Sequence, residues 1–158
     1  MTSDTKKPEL EVRIRAATRK DIDVIVSLEK GIFPDPWPRV AFEEQLRGPQ
    51  WGAIVAEYNG RVIGYACYLV VERESHLTNI AVDPGHRRKS VAKRLLERIL
   101  AIVNESQCEM LLLEVRPSNH AAITFYQSYG FELLYRRPNY YRRPIEDALV
   151  MVRHLIDG

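Results

Sequence analysis

The chain has 158 residues, of which 46% are apolar, and its formal net charge is +2. This length favours one domain, and the apolar share is too high for a disordered chain. So small a net charge gives no reason to expect nucleic acid or an anionic membrane as a partner.

The first third of the chain carries one strand signal and two helix signals. "VRIRAAT" alternates apolar and polar positions, as a half-buried strand does. Thr18 followed by Asp21 resembles a capping box, and the helix after it should bury Ile22, Ile25 and Leu28. The prolines of "FPDPWP" end that helix, and a short helix is expected to follow them.

The rest of the chain predicts a hairpin and then alternating strands and helices. Asn59-Gly60 between two β-rich runs is the expected two-residue turn. "HLTNIAV" and the apolar "MLLLEV" read as strands, with a helix of about 14 residues from Ser90 between them. A helix capped by Ser118 or Asn119, a strand, a Tyr/Arg/Pro loop and the strand "DALVMVRHL" complete the chain. This order favours an α+β fold with one parallel βαβ step.

The cysteines, the histidines and the apolar runs limit which compartment and which cofactors can be expected. Cys67 and Cys108 lie in apolar runs without metal-ligand spacing, and the histidines are far apart, so no metal is expected. No signal-type segment opens the chain, and no run approaches the ~20 apolar residues that cross a bilayer. We therefore expect a soluble, cytoplasmic protein, with residues 1–11 as a flexible tail and residues 12–158 as one domain.

The segment "HRRKSVAKRLL" places basic residues at the start of the helix that follows "LTNIAV". Unpaired amides and partial positive charge make a helix N-terminus a potential anion site. The dinucleotide fingerprint G-x-G-x-x-G and the P-loop are both absent. Taken alone, this basic cluster fits a phosphate site or a merely solvated helix end about equally well.

Four segments together resemble the GNAT N-acetyltransferase superfamily. In its acetyl-CoA motif Arg/Gln-x-x-Gly-x-Gly/Ala, Arg87 takes the first position and Ala92 the last, while Ser90 replaces the central glycine. "LEVRPSNHAAITFYQSYGF" and "RRPNYYRRPIEDALVM" resemble the RimI-type ribosomal-protein-alanine N-acetyltransferases and related archaeal N-terminal acetyltransferases. "FPDPWP" is similar to that group's Phe-Pro-Trp loop, with two more residues.

The resemblance implies a three-layer fold in which helices flank a splayed, mixed but mostly antiparallel sheet. Acetyl-CoA would lie between "LTNIAV" and "LLLEV", with its pyrophosphate on the basic turn and its pantetheine arm paired to strand backbone. The residues implied to contact it come from the strand end, the basic turn and the following helices: Ile80, Ala81, Val82, Arg87, Arg88, Lys89, Ser90, Val91, Ala92, Lys93, Asn119 and Tyr126. We expect Ser90 to have negative φ and the loop to bind pyrophosphate despite the missing glycine.

The resemblance also implies catalytic roles. Glu114, the one carboxylate in "MLLLEV", would be the general base, acting through water, and Tyr126 the general acid for the departing thiolate. From the residues alone, a Glu114 that is paired with Arg116 or another cation is the favoured interpretation, and Tyr126 could be an ordinary core tyrosine; the resemblance reverses that preference. Neither cysteine occupies a nucleophile position of the family, so direct transfer without an acetyl-enzyme is implied.

The substrate implied is the α-amine of a protein N-terminus, such as that of a ribosomal protein. Two segments are candidate walls of its site, although ordinary loop packing explains them equally well. Their residues are Phe33, Pro34, Trp37, Asn139, Tyr140 and Tyr141. The competing interpretations are an acetyltransferase of small amines or lysine side chains, and a non-catalytic acetyl-CoA-binding module, which only Ser90 suggests. A monomer or weak homodimer is expected.

Overall fold

The computed structural model describes residues 11–87 and 90–155. The predicted tail, apart from Glu11, and the basic pair Arg88 and Lys89 lie outside the described residues. The helices and strands follow in chain order: β1 Arg13–Ala16, α1 Ile22–Ile32, α2 Arg39–Gln45, β2 Trp51–Tyr58, β3 Arg61–Val71, β4 Glu74–Val82, α3 Val91–Glu105, β5 Met110–Val115, α4 His120–Ser128, β6 Glu132–Arg142 and β7 Ile145–His154.

The strands form one seven-stranded sheet in the order β1-β2-β3-β4-β5-β7-β6. Every neighbouring pair is antiparallel except β4 and β5, which are parallel and joined through α3. The predicted α+β class and its single parallel βαβ step are therefore confirmed. The predicted hairpin turn is also present, since Asn59 and Gly60 both have the positive φ that a two-residue turn of type I′ requires.

Two apolar cores lie on opposite faces of the sheet, which gives the predicted three layers. On one face, the stripe Val91, Leu95 and Ile99 of α3 packs on residues of several strands. On the other face, Ile25 of α1 and Phe42 of α2 pack on the middle of the sheet. Burial of these helical stripes supplies the main driving force for the layered arrangement.

The two parallel strands pair only at their beginnings. Their register covers three residue pairs, Glu74 to Met110, Ser75 to Leu111 and His76 to Leu112. A β-bulge in β4 follows at once, because Leu77 and Asn79 pair with consecutive residues of β3 and leave Thr78 between them. The second half of β4 thus continues without β5 as a hydrogen-bonded neighbour, and the sheet is splayed there.

The prediction of a Tyr/Arg/Pro loop before the last strand is wrong. These residues belong to β6, an edge strand that runs without interruption to Arg142. Two irregularities interrupt its pairing with β7. In the larger one, four residue steps on β6, from Arg137 to Tyr141, lie opposite two steps on β7. An edge strand tolerates such a bulge and the proline within it, since one side of the strand needs no partner.

Among the described residues, no helix combines the length and the apolar character that crossing a bilayer requires.

Candidate active site

The sequence-predicted cofactor strand lies at the splay. Ala81 and Val82 are buried and Ile80 is half-buried. All three come after His76, the last residue of β4 that pairs with β5, and before the turn into α3. Backbone groups on this edge of β4 lack a neighbouring strand, so they offer hydrogen-bonding positions to an extended ligand. This arrangement fits an amide-bearing arm such as pantetheine.

The turn after β4 is shaped for an anion. A short 3-10 turn, Pro84–His86, is followed by Arg87, whose Nε donates to the carbonyl of Val82 at 3.1 Å. Helix α3 then starts at Val91, and its first turn exposes Lys93. Its free amides and the described cations Arg87 and Lys93 suit a pyrophosphate.

Ser90 disagrees with its predicted conformation. It precedes α3 in the left-handed region, with φ 63° and ψ 21°, whereas negative φ was expected. The acetyl-CoA motif has glycine at this position, and glycine adopts positive φ without steric cost. The turn keeps a glycine-like backbone, so the serine Cβ carries strain of order 1 kcal/mol or more.

Glu114 lies on β5 beyond the last residue paired to β4, so it faces the splayed region of the sheet. Its side chain is 24% exposed, and its Oε2 lies 3.7 Å from the guanidinium of Arg137. Arg116, the partner suggested as an alternative, is engaged elsewhere: it pairs with Glu146 at 3.2 Å. Glu114 therefore combines a loose ion pair with access to solvent, as a group that exchanges protons needs.

Tyr126 is buried in the last turn of α4, with its ring 5.6 Å from that of Phe131. Burial raises the pKa of its hydroxyl, which stays protonated at neutral pH. Burial also raises the pKa of Tyr141, the negative charge of Glu114 adds to that shift, and Tyr126 lies close enough to influence the same hydroxyl. The candidate base and acid thus share the electrostatic environment of one tyrosine.

The bulge of β6 presents the "NYY" residues beside this pair. Asn139 has φ 51°, and its backbone amide donates to Asp147 Oδ1 at 2.9 Å. The rings of Tyr140 and Tyr141 meet edge to face at 5.0 Å. The guanidinium of Arg116 lies 4.2 Å from the centre of the Tyr141 ring. These contacts fix one predicted wall of the peptide site.

The other predicted wall, residues 33–37, connects α1 to α2. Phe33 and Trp37 are half-buried and Pro34 is exposed. The Trp37 ring packs on Phe42 at 5.3 Å. Its backbone amide donates to Glu29 Oε2 at 2.9 Å. The "FPDPW" segment is therefore held from beneath by side chains of both flanking helices.

Sequence reasoning missed Glu29. The predicted apolar stripe of α1 included Leu28, whereas Glu29 is the more buried residue, with 2% exposure. The signal was its spacing, since Glu29 stands seven residues after Ile22 and four after Ile25, on the same side of a helix. A carboxylate at a core position is a functional signal when it has a defined set of donors.

Asn119 begins α4, as predicted, and its side chain accepts the amide of Ala122 at 3.2 Å. The side chain is exposed and lies just after the C-terminal end of β5. Its position fits a contact with the proposed cofactor arm.

Metal ligation and thiol chemistry have no support from the described residues. They contain no group of three or more His, Cys, Asp or Glu side chains that could hold a metal ion. Cys67 and Cys108 are buried and unpaired. Burial raises the pKa of the Cys67 thiol, which opposes formation of the thiolate nucleophile.

The seven-stranded sheet splayed between β4 and β5 and flanked by helices on both faces is the fold of acyl-CoA-dependent N-acyltransferases. Residues 22–131 match the model of the Acetyltransferase (GNAT) family, and the chain belongs to that family as an N-acetyltransferase. It is 35% identical to the N-alpha-acetyltransferase RimI of Mycobacterium tuberculosis, over 97% of this chain and 96% of the relative.

Two solved structures share the fold. The ribosomal-protein-S18-alanine N-acetyltransferase of Escherichia coli superposes with a TM-score of 0.86 at 31% identity, covering 93% of this chain and 96% of that one. Ard1 of Thermoplasma volcanium superposes with a TM-score of 0.85 at 26% identity, covering 92% and 99%. The predicted family and its resemblance to RimI-type enzymes are confirmed.

Proposed function

We propose that this protein acetylates the α-amine of a protein N-terminus, using acetyl-CoA as the acetyl donor. The observation that supports the proposal is that Glu114 and Tyr126 both lie near the hydroxyl of Tyr141 in the "NYY" bulge, and that Glu114 lies beyond the pairing of β4 with β5. The names of the relatives support the same substrate class, since they act on α-amines and, in E. coli, on a ribosomal protein. A ribosomal target would place the reaction in the cytoplasm.

The described residues fit acetyl-CoA along the whole cleft. Ile80, Ala81 and Val82 would hold the pantetheine arm through backbone groups, with Asn119 on its other side. Arg87, Ser90 and the first turn of α3, Val91 to Lys93, would hold the pyrophosphate. Acetyl-CoA supplies a thioester, which is reactive enough to acylate a neutral amine without metal or covalent catalysis.

Proton transfer would be divided between two residues. Glu114, through a water molecule, takes the proton that the α-amine loses as its nitrogen bonds to the acetyl carbon. Tyr126 donates its phenolic proton to the sulfur as the carbon–sulfur bond breaks. An α-amine has a pKa near 8, about half a unit to a unit above neutral, so a weak base is sufficient. Lysine, with a pKa about two units higher, would be a poorer substrate for the same base.

A peptide acetylation assay tests the proposal. The purified chain is incubated with acetyl-CoA and matched peptides that start with Ala, Ser or Met, and products are located by fragmentation mass spectrometry. We expect transfer to the α-amine only. Versions of each peptide with a blocked N-terminus and an internal lysine are the control, together with free polyamines. Transfer mainly to lysine or polyamine would overturn the substrate class, and no transfer to any α-amine would overturn the proposal.

A further inference from the structure

Glu29 is a buried carboxylate to which the proposed chemistry gives no role. It lies in the last turn of α1, is 2% exposed, and forms no salt bridge within the described part of the chain. A carboxylate without a cation needs several donors to be tolerated in an apolar interior. Glu29 has three: the Tyr65 hydroxyl and the Asn79 amide, 2.9 Å away, donate to Oε1, and the Trp37 amide donates to Oε2.

The three donors to Glu29 come from three different segments of the chain. Tyr65 belongs to β3, and Asn79 stands on β4 directly before the proposed acetyl-CoA strand. Trp37 belongs to the connection between α1 and α2, which is the proposed peptide wall. One side chain therefore joins the wall of the peptide site to the strand that would carry the acetyl donor.

The "FPDPW" wall has few other backbone amides with which it could bond to the rest of the fold. Three of the six residues in "FPDPWP" are prolines, which have no amide hydrogen. Glu29 binds two of the remaining amides: its carbonyl accepts from Phe33 at 3.0 Å, and its carboxylate accepts from Trp37 at 2.9 Å. The beginning and the end of the "FPDPW" segment are thus both fastened to this residue.

We propose that Glu29 is a positioning residue, which sets the "FPDPW" wall at the distance from β4 that a peptide N-terminus requires. It touches neither substrate, and its loss would weaken productive binding of the peptide rather than binding of acetyl-CoA. This inference rests on the proposed function, because it assumes that residues 33–37 bind the acceptor.

Glu29→Gln separates the two halves of the contact. The amide oxygen of glutamine can still accept from Tyr65 and Asn79, which share one oxygen of Glu29. The amide NH2 then faces the N–H of Trp37, donor against donor, so only the contact to the wall is lost. The reverse orientation would keep the Trp37 contact and let the Tyr65 hydroxyl accept from the NH2 group, with the NH2 of Asn79 opposed to it, so Glu29→Asp, one methylene shorter, is measured beside E29Q.

Steady-state kinetics test the inference with an α-amine peptide as acceptor. We expect E29Q to raise KM for the peptide about tenfold, as loss of one hydrogen bond to a charged group allows. KM for acetyl-CoA should stay within about twofold, since the contacts to β4 remain. Y65F is the matched control: it removes one donor from the same carboxylate, keeps the Trp37 contact, and should leave the peptide KM unchanged.

Fluorescence gives a second readout that does not depend on turnover. In a W51F background Trp37 is the remaining tryptophan, so its emission reports the wall directly. E29Q should shift that emission towards the red, and Y65F should not. Glu29→Asp is measured in the same two ways, and it should raise the peptide KM while keeping the charge, whichever way the amide of E29Q is turned.

The wild-type enzyme separates the possible failures. If it transfers no acetyl group to α-amine peptides, the proposed function fails independently of Glu29. If it is active and both E29Q and E29D leave the peptide KM unchanged, or raise both KM values equally, the positioning role is wrong.

Discussion

The carboxylate of Glu146 accepts hydrogen bonds from both the backbone amide and the hydroxyl of Ser118, at 2.8 and 2.9 Å. It also pairs with Arg116, whose guanidinium lies over Tyr141. Two segments by which the sequence resembles RimI-type enzymes, "LEVRPSN" and "EDA", are thus joined by one side chain. The next residue, Asp147, holds the "NYY" bulge through Asn139.

Glu146→Ala should weaken binding of CoA several-fold, because Ser118 precedes Asn119, which would contact the pantetheine arm. The release of Ser118 lets that turn move, and an interaction that depends on exact placement weakens with it. Titration calorimetry with CoA measures the change. Ser118→Ala is the control, since it loses the hydroxyl contact but keeps the amide contact and should bind nearly normally. Equal affinities for wild type and E146A would contradict the coupling.

Ser90→Gly should stabilise the protein by about 1 kcal/mol, the strain of a left-handed non-glycine residue less the entropy cost of glycine. A rise of about 2–4 °C in melting temperature would follow for a chain of this size. Ser90→Val should lower it, because a β-branched residue is still less tolerant of positive φ. A lower melting temperature for S90G than for wild type would contradict the observed backbone.

CoA affinity of the same Ser90 variants tests the turn itself. We expect S90G to bind CoA as well as wild type or up to several-fold better, because the backbone already has the glycine conformation. An improvement by orders of magnitude would mean that the serine side chain obstructs the phosphate, which the preserved turn argues against.

Glu114→Gln and Tyr126→Phe should each lower kcat about 100-fold while CoA affinity changes little, as loss of a general base or acid does. Tyr129→Phe is the matched control for the second variant. Tyr129 lies just beyond the same helix, and its hydroxyl contacts the exposed Glu97 at 3.2 Å, away from Glu114. Turnover by E114Q and Y126F at the wild-type rate would remove both residues from the mechanism.

The pH dependence of stability should carry a contribution from Asp21. The hydrogen bonds of Arg15 hold the pKa of this carboxyl below its usual 3.8. A lowered folded-state pKa stabilises the fold above the unfolded-state value, and that contribution is lost as pH falls through the folded-state value. Urea unfolding should therefore show that Asp21→Asn removes about 1 kcal/mol at neutral pH and progressively less below about pH 4. A constant difference down to pH 2 would contradict this.

Local patterns predicted the parts of the fold that local physics determines. Asn59-Gly60 specified its turn, because few other pairs accept two positive φ values. The run "MLLLEV" was apolar on both sides and became the strand between β4 and β7. The motif around Glu114 and Tyr126 located the cleft, although nothing in spacing alone separated a base from a paired core carboxylate.

The failures share a different cause. Ser90 favours negative φ by itself, so nothing in the residue type indicated the positive value that it has before α3. Glu29 was passed over because two of its three donors stand 36 and 50 residues away, beyond any local pattern. Pro138 suggested a loop, whereas an edge strand with a bulge accommodates it.

The short pairing of β4 with β5 has a thermodynamic consequence. If the donor completes the sheet as an added strand, its binding and the folding of this region form one equilibrium. Amides of β4 beyond His76 that point away from β3 should exchange hydrogen with solvent quickly in the free protein and slowly once CoA is bound. Global stability should rise by about 2.7 kcal/mol when free CoA reaches about a hundred times its dissociation constant. The resistance of this protein to unfolding would therefore follow the supply of its own acetyl donor.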